Sequence, residues 1–265
     1  MKIYISADIE GVNGSTHLDE TDKKNPDYAE FQEQMTAEVL AACQGALNAG
    51  AKEIWVKDAH DTARNIKASS LPAQVKLLRG WSGHPFCMVE GLDETFDALL
   101  LVGYHSRAGS NSSPLAHTIS GKAAYARINE RYASELLISA YTAGWLKVPL
   151  VFVSGDAGLC EEATELIPDM VTVAVKRGVG NSTINIHPQV AIERIRTGAQ
   201  QALEGNLGNC RVNLPERFHV EIRYEEHSRA YQYSFYPGAS LADPFTLRFE
   251  AHNYFDVLRL FAFVL

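Results

Sequence analysis

Residues 1–14, MKIYISADIEGVNG, begin with an apolar run that stops abruptly at Asp8 and Glu10. The run predicts a buried β-strand that delivers two carboxylates at its end. A strand followed by an ordinary polar turn explains the same residues, since Asp and Gly are common in turns. The choice between the two interpretations depends on whether the pattern occurs again.

The pattern occurs twice more. Residues 53–57 (EIWVK) run into Asp58-Ala59-His60, and residues 98–103 (ALLLVG) run into Tyr104-His105. Three apolar strands therefore each end in a potential metal ligand.

The segments between these strands predict the fold class. Residues 28–48 carry an apolar side chain at every fourth position, as in a long amphipathic helix: Phe31, Met35, Val39, Cys43 and Leu47. Strand, helix and strand in this order predict a parallel sheet with right-handed crossover connections. Similar segments continue to about residue 204, so we expect an α/β region over residues 1–204, with a mostly parallel sheet flanked by helices.

The chain changes character beyond that point. Residues 217–224, 231–236 and 246–250 alternate between apolar and polar side chains, which predicts antiparallel strands, and residues 253–264 resemble a helix. We expect a smaller α+β region over residues 205–265, with a role in oligomerisation.

Composition narrows the range of partners. The chain has 24 Lys and Arg against 32 Asp and Glu, a formal charge of -8 and a pI near 5.6. We therefore expect neither nucleic acid nor an anionic membrane as a partner. There is no apolar run of about 18 residues and no signal-peptide pattern. The four cysteines are scattered without a C-x-x-C pair, which favours a reducing, cytoplasmic location.

The strand ends predict a metal site. Ligands of open parallel sheets bind outside the carboxyl ends of the strands, where Asp8, Glu10, His60 and His105 would all lie. Carboxylates mixed with imidazoles suit zinc or another first-row divalent ion, whereas sites made only of oxygen suit magnesium or calcium. Because the set contains no thiolate, it indicates a catalytic rather than a structural metal.

Each candidate also has a simpler interpretation. His60 and His105 could be ordinary loop histidines, and His117 could stabilise the Gly- and Ser-rich loop over residues 106–114. Glu135 lies in the first turn of a predicted helix, where the helix dipole stabilises a carboxylate whatever its function. The remaining histidines lack the strand-end context and are expected to be surface or structural residues: His17, His84, His187, His219, His227 and His252.

Several motifs, taken in order, resemble a known family. They are Asp8-x-Glu10-Gly11, Asp58-x-His60, Gly103-Tyr104-His105, Ala116-His117, and Asn129-x-Arg131 followed by Glu135, with matching text at residues 88–93 and 166–168. Their order is similar to that in the zinc D-aminopeptidases of bacterial dipeptide-transport operons, the M55 metallopeptidases. The resemblance covers nearly the whole chain.

The resemblance implies a site and an activity. It implies that two Zn²⁺ ions per chain are bound by Asp8, Glu10, His60, His105 and Glu135, and that His117 is catalytic. It also implies a homodecamer with internal active sites that admit only small peptides, such as D-Ala-D-Ala. Five ligands give three per ion if one carboxylate bridges, and Asp8 is the natural bridge because its short side chain leaves the strand first.

Two other functions are compatible with the residues alone. A dinuclear-metal phosphoesterase uses similar ligands but usually adds cations to hold phosphate, for which Arg107 and Arg131 are the obvious local residues. A non-enzymatic dipeptide-binding module is the second alternative. A serine hydrolase is a poor alternative because Ser154 lacks the flanking residues of a G-x-S-x-G motif. The residues themselves leave open D against L specificity, the preferred peptide, the physiological metal and the subunit count.

Overall fold

The computed structural model describes residues 1–265 and contains two β-sheets. The strands, in chain order, are β1 (Lys2–Ala7), β2 (Glu53–Asp58), β3 (Val75–Leu78), β4 (Ala98–Tyr104), β5 (Ala123–Ile128), β6 (Arg131–Tyr132), β7 (Leu150–Asp156), β8 (Val171–Val179), β9 (Ser182–Asn185), β10 (Phe218–Tyr224), β11 (Ser240–Asp243) and β12 (Thr246–Ala251). The helices are α1 (Tyr28–Asn48), α2 (Glu135–Trp145), α3 (Ala157–Leu166), α4 (Pro188–Glu204), α5 (His227–Tyr233) and α6 (Tyr254–Val264).

The larger sheet has the order β3-β2-β1-β4-β7-β8-β9, and all its neighbouring strands are parallel except the pair of β8 and β9. Every residue of β4 is buried, as expected for a parallel strand that is covered on both faces. Helices α1 and α4 pack against each other, and α3 packs on β7 and β8. The predicted α/β class with a mostly parallel sheet is confirmed.

The smaller sheet is antiparallel and has the order β11-β12-β10-β5-β6. The sequence predicted antiparallel strands only after residue 204, but β5 and β6 come from the middle of the chain. Strand β5 pairs along β10, with Val220 opposite Ile128. A boundary between residues 204 and 205 therefore does not separate the two sheets.

Helix α2 contributes to both hydrophobic cores. Leu136 and Ala140 belong to the core of the larger sheet, whereas Leu137, Ile138 and Tyr141 belong to the core of the smaller one. Ser134 caps the N-terminus of this helix, because its hydroxyl accepts a hydrogen bond from the amide of Leu137. The first turn of α2, which carries Glu135, is thus fixed between the two sheets.

One predicted strand is a helix in the structure. Residues 231–236 were expected to form a strand, but residues 227–233 form α5. Ala230 is fully buried, while Tyr231 and Phe235, four residues apart, are exposed on the helix surface and beyond its end. The alternating tyrosines of this segment therefore do not alternate between buried and exposed positions, as they would in a strand. None of the helices is both long and apolar enough to cross a membrane.

Candidate active site

The three strands that end in candidate ligands are neighbours in the larger sheet. Strand β1 lies between β2 and β4, with Ala7 opposite Asp58 on one side and opposite Val102 on the other. Asp8 and Glu10 follow β1, His60 follows β2, and His105 follows β4. The topology therefore brings these four side chains to one edge of the sheet, as the parallel arrangement predicted.

Two glycines allow the ends of β1 and β4 to touch. Gly103 has a φ of +70°, and a Cβ there would lie 2.4 Å from the carbonyl oxygen of Asp8. A Cβ on Gly11 would lie 1.7 Å from the carbonyl oxygen of Tyr104. The Gly11 amide also donates to the Gly103 carbonyl at 2.8 Å. This backbone contact brings the Asp8 turn directly against the His105 turn.

The five predicted ligands form one cluster with Asp8 at its centre. His60 Nδ1 lies 2.9 Å from Glu10 Oε2 and 3.4 Å from Asp8 Oδ1. His105 Nε2 lies 3.5 Å from Asp8 Oδ2 and 3.2 Å from Glu135 Oε2. One Asp8 oxygen thus faces each histidine, and the cluster divides into two groups that share this carboxylate.

The outer nitrogens of His60 and His105 bind backbone carbonyls. His60 Nε2 lies 2.8 Å from the Thr21 oxygen, and His105 Nδ1 lies 2.9 Å from the Ser106 oxygen. A carbonyl can only accept, so each outer nitrogen carries its proton and the inner nitrogen of the neutral ring is left with a lone pair. Such bonds orient histidines that ligate metals.

Atoms that lack partners indicate that the cluster suits a cation. Glu10 Oε2, His105 Nε2 and Glu135 Oε2 are buried and have no hydrogen-bond partner outside the cluster, where only a protonated imidazole could donate to the two carboxylates. Buried carboxylate oxygens without partners are costly, so a cation that they can bind would stabilise them. Imidazole and carboxylate donors, without thiolate, fit zinc. Asp8, Glu10, His60, His105 and Glu135 are the residues that could hold it.

The pKa shifts of the carboxylates and histidines also indicate that the cluster favours a bound positive charge. Burial opposes ionisation of Glu10, but His60 more than offsets this and holds the pKa of Glu10 well below its usual range. Burial alone would lower the pKa of His105, yet Glu135 and Asp8 raise it to about 10. Burial, together with the charge of Glu10, raises the pKa of Asp8. Protonated imidazoles therefore neutralise the carboxylates, and a metal would displace those protons.

His117 occupies a different position. Its ring stacks on that of His105 with the centroids 4.3 Å apart, and its Nε2 lies 3.7 Å from Glu135 Oε1. Its Nδ1 donates to the Leu115 carbonyl at 3.0 Å. The side chain is 24% exposed, whereas that of His105 is fully buried, so a substrate can reach His117. His117, His105 and Glu135 also lie close enough to hold one metal ion together.

Two buried aspartates fasten the loops that carry the histidines. Asp58 Oδ2 accepts from the amides of Asn65 and Ile66, which closes the loop after His60. Asp156 Oδ2 accepts from the amide of Ser106, next to His105. Asp58 appeared in the sequence only as part of the motif around His60. The supporting role of both aspartates depends on tertiary contacts.

A buried polar network supports the loop after β1 from below. Lys176 donates to the carbonyl and hydroxyl oxygens of Ser15, and its ammonium also contacts the carbonyl oxygen of Glu10. Glu38, on α1, accepts from the Asn13 amide at 2.8 Å. Burial raises the pKa of Glu38 to about 7 from its ordinary value of 4.5. The folded protein therefore retains a proton that the unfolded chain loses at lower pH.

This proton makes stability depend on pH. Between pH 4.5 and 7 the unfolded chain releases the Glu38 proton while the folded protein keeps it, so Glu38 lowers the stability of the native state as the pH rises. Glu38→Gln removes this effect, because the amide does not titrate. We expect the variant's free energy of unfolding, relative to wild type, to increase by about 3 kcal/mol between pH 4 and pH 8.

Urea unfolding at several pH values would measure this difference. Glu30→Gln, an exposed change on the same helix, serves as the control and should show no such trend. A Glu38→Gln difference that stays constant from pH 4 to pH 8 would contradict the expectation.

The cluster opens into a cavity of about 370 Å³. Besides Asp8, Glu10, His60, His117 and Glu135, it is lined by Ala59, Asp61, Trp81, Cys87, Met88 and Ile119. The volume is near the lower end of the range for ligand pockets and suits a small substrate. A larger cavity of about 1030 Å³ lies elsewhere and is lined by none of the five candidate ligands. The smaller cavity is the candidate site because carboxylate and imidazole side chains line it, not because of its volume.

None of the six histidines that were expected to be surface or structural lines this cavity. His17 caps a short 3-10 turn, His187 caps α4, and His219 lies 3.3 Å from Glu250 on the smaller sheet. Asp61 and Trp81 also line the cavity, but no sequence pattern predicted this. The only signal for Asp61 was its place next to His60.

Comparison with known proteins gives a consistent result. The family model of peptidase M55, described as D-aminopeptidase, matches residues 1–263. The chain is 31% identical over 255 residues to the D-aminopeptidase of Bacillus subtilis (strain 168), a match that covers 96% of this chain and 92% of that protein. It also resembles the solved structure of the Zn-dependent D-aminopeptidase DppA from Bacillus subtilis, a self-compartmentalizing protease. The TM-score is 0.92 at 29% identity, and the match covers 98% of this chain and 95% of that chain.

The α/β fold, the carboxylate and histidine cluster and these matches make the protein an aminopeptidase, a hydrolase that acts on peptide bonds. The chain belongs to the M55 peptidase family, the D-aminopeptidases. The resemblance drawn from the sequence motifs is thereby confirmed.

Proposed function

We propose that this protein is a dinuclear zinc aminopeptidase that removes the N-terminal residue from short peptides of D-amino acids, such as D-Ala-D-Ala. The observation that carries the proposal is the convergence of Asp8, Glu10, His60, His105 and Glu135 on one small cavity, with buried ligand atoms that lack partners. The zinc dependence of the similar Bacillus subtilis enzyme supports the choice of metal.

The two groups within the cluster support two ions per chain. Glu10 with His60 would hold one ion and His105 with Glu135 the other, and Asp8, which faces both histidines, would bridge them. Bound zinc supplies Lewis acidity towards the peptide carbonyl and makes water a stronger acid. The remaining chemistry belongs to the side chains around it.

His117 is the proton-transfer group in this proposal. Its Nδ1 is occupied by the Leu115 carbonyl, so Nε2 is the nitrogen that remains free to exchange a proton. We assign to Nε2 the uptake of a proton from the attacking water and its delivery to the departing amine nitrogen. The stacking on His105 fixes the ring plane, which keeps Nε2 beside Glu135.

The cavity argues against the two alternative functions. It is lined by no lysine or arginine, whereas a phosphoesterase needs cations to bind phosphate. Arg107 instead stacks over the Tyr132 ring at 3.9 Å, and both Arg107 and Arg131 line a separate cavity. A binding module without catalysis does not explain why His117 stands exposed beside buried ligands.

Assembly is part of the same proposal. The similar enzyme is a self-compartmentalizing protease, which supports a homo-oligomer here, with the decamer implied by the family resemblance. Residues 205–265 carry exposed apolar side chains suited to subunit contacts, including Tyr231, Phe235 and Phe263. All four cysteines are free, in keeping with the predicted cytoplasmic location.

Metal content and hydrolysis, measured on the same preparation, test the function. We expect about two zinc ions per chain by mass spectrometry, together with cleavage of D-Ala-D-Ala that chelator abolishes and zinc restores. L-Ala-L-Ala and p-nitrophenyl phosphate serve as controls. Cleavage of the L peptide alone would overturn the stereochemical part, and phosphate release would favour the phosphoesterase. Peptide binding without cleavage would favour the binding module.

A further inference from the structure

An aminopeptidase must recognise the free α-ammonium group of its substrate, which distinguishes a peptide's end from its interior. Recognition of an ammonium requires hydrogen-bond acceptors, and a carboxylate is the strongest that a protein offers. If the protein is an aminopeptidase, as proposed above, one of its carboxylates must be available to bind this ammonium group.

Only one acidic residue of the cavity lining is available to bind an ammonium group. Its acidic residues are Asp8, Glu10, Glu135 and Asp61, and it has no lysine or arginine. The first three are buried and lie against histidines in the cluster. Asp61 is exposed, and its carboxylate forms neither an ion pair nor a side-chain hydrogen bond with the rest of the chain. It is the one acid of the cavity whose charge no protein group neutralises.

The backbone holds Asp61 in a fixed place. Asp61 has a φ of +43°, and the amide of Ala63 donates to the His60 carbonyl at 2.7 Å across the same tight turn. The Asn65 side chain donates to that carbonyl as well, at 2.7 Å. A residue held in the left-handed region by several bonds presents its side chain in a defined direction.

Trp81, another residue of the cavity lining, contacts the same turn. Its indole nitrogen donates to the Asp61 carbonyl at 2.6 Å. The Trp81 ring lies 4.0 Å from Lys57 Nζ, and Lys57 is itself buried and paired with Glu90 at 3.2 Å. The indole is therefore held by a hydrogen bond at its nitrogen and by a cation over its ring.

We propose that Asp61 binds the α-ammonium group of the peptide substrate and so restricts cleavage to the first peptide bond. Its neighbour His60 belongs to the metal cluster, so an ammonium on Asp61 lies within the same small cavity as the reacting centre. Trp81 acts as a positioning residue through the Asp61 backbone. Because Asp61 is the one carboxylate of the lining outside the proposed ligand set, its charge stays available for a positive end of the substrate and disfavours an acylated one.

Asp61→Asn tests this with little risk to the fold, because asparagine tolerates a positive φ as readily as aspartate and the bond from Trp81 reaches the backbone. We expect the KM for D-Ala-D-Ala to rise about tenfold while kcat changes by less than about twofold. Asp61→Glu should recover part of the loss. Asp169→Asn, an exposed change of equal charge outside the cavity, is the matched control.

A ligand without the amino group separates charge recognition from pocket damage. Propionyl-D-Ala, the analogue of D-Ala-D-Ala that lacks the ammonium, should inhibit wild type and Asp61→Asn with the same Ki. In wild type alone, added salt should raise the KM of the amine substrate, because salt screens the ion pair.

Two results would overturn the proposal. An unchanged KM in Asp61→Asn would place the ammonium on another group, such as the metal. An equal loss of both ligands would make Asp61 a determinant of pocket shape only. Failure of wild type to cleave any dipeptide is a separate result, which overturns the proposed function and this inference together. If only L-Ala-L-Ala is cleaved, the same comparison uses that peptide and its propionyl analogue.

Discussion

Glu135→Gln is expected to reduce bound zinc from about two ions to about one per chain and to lower kcat at least about 100-fold. Glu135 Oε2 is a buried atom without a partner, 3.2 Å from His105 Nε2, so the carboxylate charge is directed at the cluster. The amide of glutamine is a much weaker ligand but can still accept the hydrogen bond that Ile119 donates to Glu135 Oε1 at 2.7 Å. Loss of an outer partner of a ligand commonly costs 10- to 100-fold, roughly, and loss of the ligand should cost no less.

Zinc titration by calorimetry and turnover of D-Ala-D-Ala would measure the two effects. Glu30→Gln is the matched control, since Glu30 also lies in the first turn of a helix but is exposed. If Glu135 only interacted with the helix dipole, both variants would keep full zinc content and differ from wild type by well under about 1 kcal/mol in stability.

His117→Ala is expected to keep both zinc ions and to lower kcat by about two to four orders of magnitude. The reason is that its Nε2, free of any protein donor, would be lost as the proton-transfer group, whereas the predicted ligands would remain in place. His219→Ala is a suitable control because His219 also lies beside a carboxylate, Glu250, but does not line the cavity.

Zinc content decides between two roles for His117. A loss of about one zinc ion in His117→Ala would make it a ligand together with His105 and Glu135, a grouping that the distances allow. Turnover that survives the substitution with full zinc content would remove His117 from the reaction altogether.

The sequence predicted four members of the cluster from local pattern alone. Asp8, Glu10, His60 and His105 each follow an apolar strand, and parallel strands place their carboxyl ends at the same edge. That reasoning needs only strand direction and neighbourhood, and the order β2-β1-β4 satisfies both. Local periodicity is sufficient for a site built on the ends of adjacent parallel strands.

Glu135 and His117 were beyond that reasoning. Glu135 follows β6 of the smaller sheet and enters the site because α2 packs between two cores. His117 lies in a loop whose path is set by contacts such as the bond from the Ala108 amide to the Thr118 hydroxyl. These are long-range arrangements that carry no local signature, so only the family resemblance indicated both residues.

The pairing of β5 with β10 was missed for the same reason. The two strands are about 90 residues apart in the chain, as the partners Ile128 and Val220 show. The sequence of neither strand identifies the other as its partner. The prediction for residues 231–236 is wrong for a different reason: alternating tyrosines are typical of a sheet, but here residues 227–233 form a helix. Residue type alone did not distinguish an aromatic that packs from one that is exposed.

The position of α2 has a consequence for protein engineering. A fragment that ends at residue 204 would contain every one of the six site residues, yet it would lack β10, β12 and α6. The face of α2 that carries Leu137, Ile138 and Tyr141 would then meet water instead of the second core. Since Glu135 is carried by that helix, the proposed ligand set is complete in the fragment's sequence but would not be held in place. The carboxy-terminal quarter of the chain thus supports the proposed metal centre, and a minimal version of this enzyme must retain it.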